Sequence, residues 1–291
     1  MAMEPDSGSA LRRSLLFTPG LRTDRFAKAL KGGADMVCLD LEDGVAPDFK
    51  DEARDKAIPA LFDATLGAAA RAMRINPIKT HTGMRDLLAL CDFGSAPPAL
   101  LLPKIESPEE VRWVAEILDE AGYDRTRLMV IIETTRALEA ALDIASASPR
   151  NDTLLFGAAD LSAELGSSLD WGALHYARGR AVHAASHAGL DLIDVPSLDI
   201  KDEEGLRSEA RLAQRMGFTG KAAIHPVQVA PINEVFSPDA ETVEFARRVI
   251  EAYEQSAAGV ALLDGKVVEM PVVRAMRRAL AIAEKIAAGA P

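Results

Sequence analysis

LMVIIETT, residues 128–135, is a continuous aliphatic run that stops on a carboxylate, and LLFGAAD, residues 154–160, repeats the pattern after one intervening segment. Neither run alternates apolar with polar residues, so both faces need cover, as in parallel strands packed beneath helices. Reading outward from this pair, short runs bounded by Gly, Pro or charge give eight candidate strands. They are Ser14–Thr18, Met36–Leu41, Ala72–Asn76, Ala99–Lys104, Leu128–Ile132, Leu154–Gly157, Leu190–Val195 and Lys221–His225. Between them lie helical signals. Ser107-Pro108-Glu109-Glu110 offers an N-cap, a first-turn proline and a capping-box glutamate before an amphipathic stretch to Leu118. Trp171–His187 and Glu203–Met216 also show helical spacing. Strands alternating with helices predict an α/β protein, a (β/α)8 TIM barrel over residues 12–230. An open doubly wound sheet is the competitor. No glycine-rich loop follows the first strand, where Pro19-Gly20 reads as a turn, and that lowers the open-sheet reading.

Residues 231–291 read as an extension that a barrel does not need. Ser237-Pro238-Asp239 caps a helix to about Ala257, and Ala261–Val268 forms a hairpin about Asp264-Gly265. Pro271 ends the hairpin, and a last helix, Val272–Ala288, follows. A hairpin flanked by helices suits a lid or an oligomer-docking arm.

With 48% hydrophobic and 26% charged residues, the chain can bury a sizeable core. Its net charge of −11 argues against nucleic acid or an anionic membrane as partner, since both need a basic surface. Cys38 and Cys91 make no disulfide framework, and Cys38 sits in an apolar run as a core residue. The first dozen residues, MAMEPDSGSALR, carry no apolar stretch, so no secretory leader and a cytoplasmic location are expected.

In a barrel, chemistry gathers at the carboxyl ends of the strands. That rule picks out Asp40, Glu42 and Asp43 after the second run, Arg74 and Asn76 at the third, and Lys104 and Glu106 at the fourth. Glu133, Asp160 and His225 follow the fifth, sixth and eighth. Glu133 and Asp160 end adjacent strands, so their carboxylates can converge on one hard cation, and Mg²⁺ suits two carboxylates plus substrate oxygens and water. Each residue also has a plainer reading. Glu133 and Asp160 could cap the helices after them, Arg74 could pair with Asp43 or Glu42, and His225 before Pro226 could be a turn residue. His183 and His187, spaced i, i+4, lie on an outer helix with no third ligand and read as surface residues. Asp264 serves the turn.

Longer motifs carry a resemblance. RRSLLFTPGLRTDRFAKAL, DMVCLDLEDGVAPDFKDEAR, RINP, LLPKIESPEEV, VIIETTRALEAA, LLFGAADLSAELG, GFTGKAAIHPVQV and INEVFSPDAETVEFARRVIEA occur in that order from about Arg12 to the last helix. Together they resemble the citrate lyase β-subunit-like branch of the HpcH/HpaI aldolase family, which includes malyl-CoA and citramalyl-CoA lyases. The resemblance implies a barrel, a homotrimer or larger oligomer, and Mg²⁺ held by Glu133 and Asp160. It implies that Arg74 binds substrate and stabilises a thioester enolate, and that Phe17, Arg22, Lys28, Ile224 and His225 contact an acyl-CoA thioester. Lys104 reads as an ion-pair partner, because this chemistry needs no Schiff base. A carboxylate on the C-terminal segment of a neighbouring subunit carries the proton in the family. There this chain has Glu269, in VVEMP, where an aspartate is usual. A group longer by one methylene leaves the reaction open among carbon–carbon lyase, citryl-carrier-protein lyase subunit, malyl-CoA thioesterase and a non-catalytic CoA-thioester-binding protein.

Overall fold

Parallel pairing runs from each of eight strands to the next and from the last back to the first, closing a barrel. The computed structural model describes residues 11–66, 69–256 and 259–289. Most of the stretch read for a leader, and the helix end expected near Ala257, lie outside these residues. The strands are β1 (Ser14–Pro19), β2 (Met36–Asp40), β3 (Ala70–Arg74), β4 (Ala99–Leu102), β5 (Arg127–Ile132), β6 (Asn151–Phe156), β7 (Asp191–Asp194) and β8 (Gly220–Ala223). Helices α1 (Thr23–Ala29), α2 (Lys50–Phe62), α3 (His81–Asp92), α4 (Pro108–Glu120), α5 (Thr135–Glu139) and α6 (Ala141–Ala145) follow the first five strands. Then come α7 (Ala158–Leu165) and α8 (His175–Ala188) after β6, α9 (Glu203–Met216) after β7 and α10 (Val229–Val235) after β8.

The continuous apolar runs divide between two cores because successive side chains leave a strand on opposite faces. Leu15, Met36, Cys38, Ala72, Met129, Ile131, Leu155, Ile193 and Ala222 fill the barrel interior. Their neighbours Leu16, Val37, Leu39, Met73, Val130, Ile132, Leu154 and Phe156 pack outward beneath the helices.

Several strands end earlier than the apolar runs suggest, each time because backbone N–H groups turn to a side chain. β3 stops at Arg74, and the N–H of Asn76 donates to Asp86 Oδ2 at 2.8 Å. β4 stops at Leu102: Pro103 has no N–H to give, and Lys104 turns left-handed at φ 52° with its N–H directed to Glu133. β8 stops at Ala223, and the N–H groups of Ile224 and His225 both go to Gln228 Oε1. Helix α8 begins at His175 rather than Trp171, whose ring instead lies 4.3 Å from the Arg178 guanidinium. The capping glutamate of α4 reaches past Ser107 to accept from the Glu106 N–H at 3.3 Å.

Beyond the barrel, α11 (Ala240–Glu254), β9 (Ala261–Leu263), β10 (Lys266–Val268) and α12 (Met270–Ala287) build the expected helix–hairpin–helix arm. Asp239 caps α11 by accepting from the Thr242 N–H at 2.7 Å. Asp264 and Gly265, at φ 50° and 74°, give the hairpin the turn that matches strand twist. Val249, Val268 and Val273 form the arm's own small core. Ile232 and Phe236, by contrast, belong to the barrel's outer core, so α10 packs as part of the barrel.

Candidate active site

Continuing the interior-facing positions of the strands past the packed layer leads straight to charge. Phe17 follows Leu15, Asp40 follows Cys38, Arg74 follows Ala72 and Glu133 follows Ile131, each two residues on. The same period that fills the barrel therefore delivers these four to its mouth. On β6 the corresponding position after Leu155 is Gly157. A Cβ built there would lie 2.4 Å from Glu133 Cβ and 2.8 Å from Glu133 Oε2. The missing side chain is what leaves room for the glutamate.

Arg74 and Asp40 are register partners on neighbouring strands. The guanidinium donates Nε to Oδ1 at 2.7 Å and Nη2 to Oδ2 at 2.6 Å. Asp40 is held in turn by the N–H groups of Glu42 and Gly44, both at 2.8 Å. The expected partners of Arg74 rank differently. Glu42 Oε2 lies 2.7 Å from Nη1 outside hydrogen-bond geometry, and Asp43 is 3.9 Å away and exposed. Below, the Phe17 ring centroid is 5.0 Å from the guanidinium carbon. Burial works against the Arg74 charge, yet the bond to Asp40 and the nearby carboxylates hold its pKa above the ordinary value. Burial pushes the Glu42 carboxyl up to about 8, outweighing the lowering by Arg74.

Glu133 does not cap a helix. That task falls to Thr134, whose hydroxyl accepts from the Ala137 N–H at 3.0 Å. Glu133 instead accepts from the Lys104 N–H at 2.7 Å while its other oxygen lies 3.9 Å from Lys104 Nζ. Asp160, placed in the first turn of α7 rather than on the strand, is ion-paired with the same ammonium. Two carboxylates from adjacent βα units thus face one positive charge. Burial raises Glu133 to about 7 against the lowering by Lys104. Lys104 is itself raised: burial opposes its charge, but the bond to Asp160 and the Glu133 charge prevail. An all-oxygen pair already gathered about a cation fits Mg²⁺, which takes its remaining ligands from substrate and water. Among the described residues no cluster of three or more His, Cys, Asp or Glu offers a denser set.

The remaining expected residues lie further out. Ile224 and His225 are exposed where β8 meets the rim. The β1–β8 register ends by pairing Leu16 with Ala223, the residues directly before Phe17 and Ile224. Arg22 and Lys28, on and before α1, are exposed, and Arg22 is engaged by Asp24 through two contacts of 2.9 Å. His183 and His187 are exposed on α8. Glu269 stands exposed at the N-cap of α12, out on the arm. The sequence reading missed the Asp40 fork, the space at Gly157 and the buried Gln228. The period-two pattern past Cys38 could have given Asp40; the other two needed the neighbouring loops.

A family model described as HpcH/HpaI aldolase/citrate lyase matches residues 13–226. A (3S)-malyl-CoA thioesterase of Cereibacter sphaeroides is 38% identical over 281 residues, covering 95% of this chain and 96% of the relative. Human mitochondrial citramalyl-CoA lyase is 32% identical over 293 residues, covering 94% and 86%. The crystal structure of CitE from Mycobacterium tuberculosis in complex with magnesium, acetoacetate and coenzyme A superposes with TM-score 0.80 at 34% identity, over 95% of this chain and 99% of that one. With the motifs, the closed barrel and these matches in agreement, the chain belongs to the HpcH/HpaI aldolase/citrate lyase family.

Proposed function

We propose that this chain is a Mg²⁺-dependent carbon–carbon lyase. Its substrate is a 3-hydroxyacyl-CoA thioester of the malyl- or citramalyl-CoA kind, split into acetyl-CoA or propionyl-CoA and a 2-oxo acid, glyoxylate or pyruvate. The observation that carries this reading is the meeting of Glu133 and Asp160 about one positive charge beside a clamped Arg74. A relative bound to magnesium, acetoacetate and coenzyme A supports it. Glu133 and Asp160 hold the metal, which when bound supplies Lewis acidity toward substrate oxygens. Arg74 keeps Nη1 outside the Asp40 fork, beside Glu42 Oε2 at 2.7 Å, and its guanidinium charge offsets the negative charge that develops on the thioester oxygen. Arg22 and Lys28 meet the phosphates of the acyl-CoA. Arg22 gives up only an exposed ion pair to do so, and such pairs are weak. Phe17, Ile224 and His225 line the acyl-CoA path, and Glu269 carries the proton from the arm of a neighbouring protomer. The barrel, taken through Phe236, is the catalytic domain and the remainder the lid. Leu262 and Val267, exposed on the hairpin, suit its burial in a homotrimer or hexamer. Two free cysteines agree with a cytoplasmic setting.

A second reading, hydrolysis of malyl-CoA to free malate and thiol, is favoured by the thioesterase at 38% identity. The test is a panel of 3-hydroxyacyl-CoA thioesters with Mg²⁺, with 2-oxo acid and free thiol followed separately. The lyase releases 2-oxo acid without thiol, stops in EDTA, and is not restored by Mg²⁺ in Glu133→Ala. Thiol without 2-oxo acid identifies the thioesterase. Full activity in both EDTA and Glu133→Ala overturns the metal-dependent reading.

A further inference from the structure

We propose that Gln228 is a positioning residue that sets the acyl-CoA-binding lip of the barrel. It holds the Ile224–His225 backbone against the loop after β7. The proposal rests on the acyl-CoA reading of Ile224 and His225 given above.

Gln228 is 1% exposed, and its side chain is committed on both sides. Oε1 accepts from the Ile224 N–H at 2.9 Å and the His225 N–H at 3.2 Å, while Nε2 donates to the Ser197 carbonyl at 2.9 Å. One amide therefore fills the acceptor capacity of its oxygen and joins the two loops that follow β7 and β8. Its anchor is rigid. The Ser197 hydroxyl is bonded to Glu209, Glu209 lies 3.2 Å from Lys221 Nζ, and Lys221 is ion-paired to Asp194 at 2.9 Å within the barrel wall.

What this clamp presents is chemically specific. Ile224 comes directly after Ala223, whose register partner Leu16 directly precedes Phe17, and it is 44% exposed. The Phe17 ring is the one beneath Arg74, so the lip adjoins the charged mouth. His225 accepts from the Val227 N–H at 3.3 Å through Nδ1, which leaves Nε2 as the ring nitrogen able to donate. An apolar side chain next to one N–H donor, on a backbone that cannot drift, matches an amide-bearing thioester arm: methylenes against Ile224 and a carbonyl on His225.

A merely structural clamp would lower stability without distinguishing substrates, so the test compares two substrates. For Gln228→Met, KM for the full CoA thioester rises about tenfold with kcat within about twofold of wild type. KM for the matching N-acetylcysteamine thioester, which lacks most of the arm and the nucleotide, stays unchanged. An equal rise for both thioesters, an unchanged KM for the CoA thioester, or a loss in kcat alone overturns the proposal. Gln228→Glu keeps an acceptor for both N–H groups but loses the donor to the Ser197 carbonyl, so it too is expected to raise KM for the CoA thioester and not for the N-acetylcysteamine thioester. An unchanged KM for the CoA thioester in a Gln228→Glu protein that melts like wild type counts against the proposal even if Gln228→Met does not fold. Should wild type turn over neither substrate, calorimetry with coenzyme A replaces the kinetics. Weaker binding to a folded Gln228 variant supports the clamp, equal binding overturns it alone, and no binding by wild type overturns it together with the acyl-CoA reading.

Discussion

The guanidinium of Arg74 forks onto the carboxylate of Asp40, its register partner on the neighbouring strand, at 2.7 and 2.6 Å. Both side chains are largely buried, at 14% and 5% exposure. The bidentate geometry fixes the guanidinium plane and leaves Nη1 as the arm outside the fork. Asp40→Asn keeps the volume and removes the charge. Breaking one partner of a buried pair costs about 3–5 kcal/mol, because the other charge stays behind uncompensated. The variant is expected to unfold at a clearly lower urea midpoint and to lose kcat more than KM. An unchanged midpoint would mean that the fork is incidental.

At Gly157 the claim is steric. The nearest neighbours of an added Cβ are Glu133 Cβ at 2.4 Å and Glu133 Oε2 at 2.8 Å, the proposed ligand itself. Gly157→Ala should displace that carboxylate and weaken Mg²⁺ binding at least tenfold by calorimetry, on the order of 1.4 kcal/mol. The rise in melting temperature on adding Mg²⁺ should shrink in parallel. Wild-type affinity in a folded Gly157→Ala protein would disprove the steric account.

Glu42 gives the fold a pH dependence. Its carboxyl ordinarily titrates at 4.5 and is raised to about 8 by burial. Between those values the folded chain keeps a proton that the unfolded chain has released, so stability falls as pH rises through this window. The fall is on the order of a few kcal/mol. Glu42→Gln, which holds the neutral form permanently, should flatten the difference between urea midpoints at pH 5.5 and pH 8 in EDTA. A wild-type protein more stable at pH 8 than at pH 5.5, with Glu42→Gln unchanged from it, would reverse the sign and remove the argument.

Glu269 is exposed, and its side chain caps nothing at the start of α12. Glu269→Gln should therefore leave the melting temperature within about a degree, since exposed substitutions of this kind are close to neutral. If the residue carries the proton, kcat falls about 10²–10⁴-fold with thioester binding intact. Glu269→Asp restores the usual aspartate of the family and tests reach. Unaltered turnover in Glu269→Gln would take the proton off this residue.

The sequence by itself determined eight apolar strands alternating with helices and, with its long motifs, favoured the barrel over an open sheet. Once eight such runs close, helices lie outside and side chains inside, and the strand-end charges gather at one mouth. The strand-end rule gave Arg74 and Glu133, and the long motifs gave the family. Tertiary structure decided which charges meet. Asp40 rather than Asp43 holds Arg74, because strand register pairs residues that no local pattern relates. Asp160 joins Glu133 from a helix rather than from a strand end, and Lys104 reaches both through a left-handed backbone. Gly157 and Gln228 matter only for what lies opposite them, a glutamate just past β5 and a carbonyl after β7. Apolar periodicity is local, so it can be read along the chain. Register, close approach and side-chain capping join residues far apart in sequence, and folding alone brings them together.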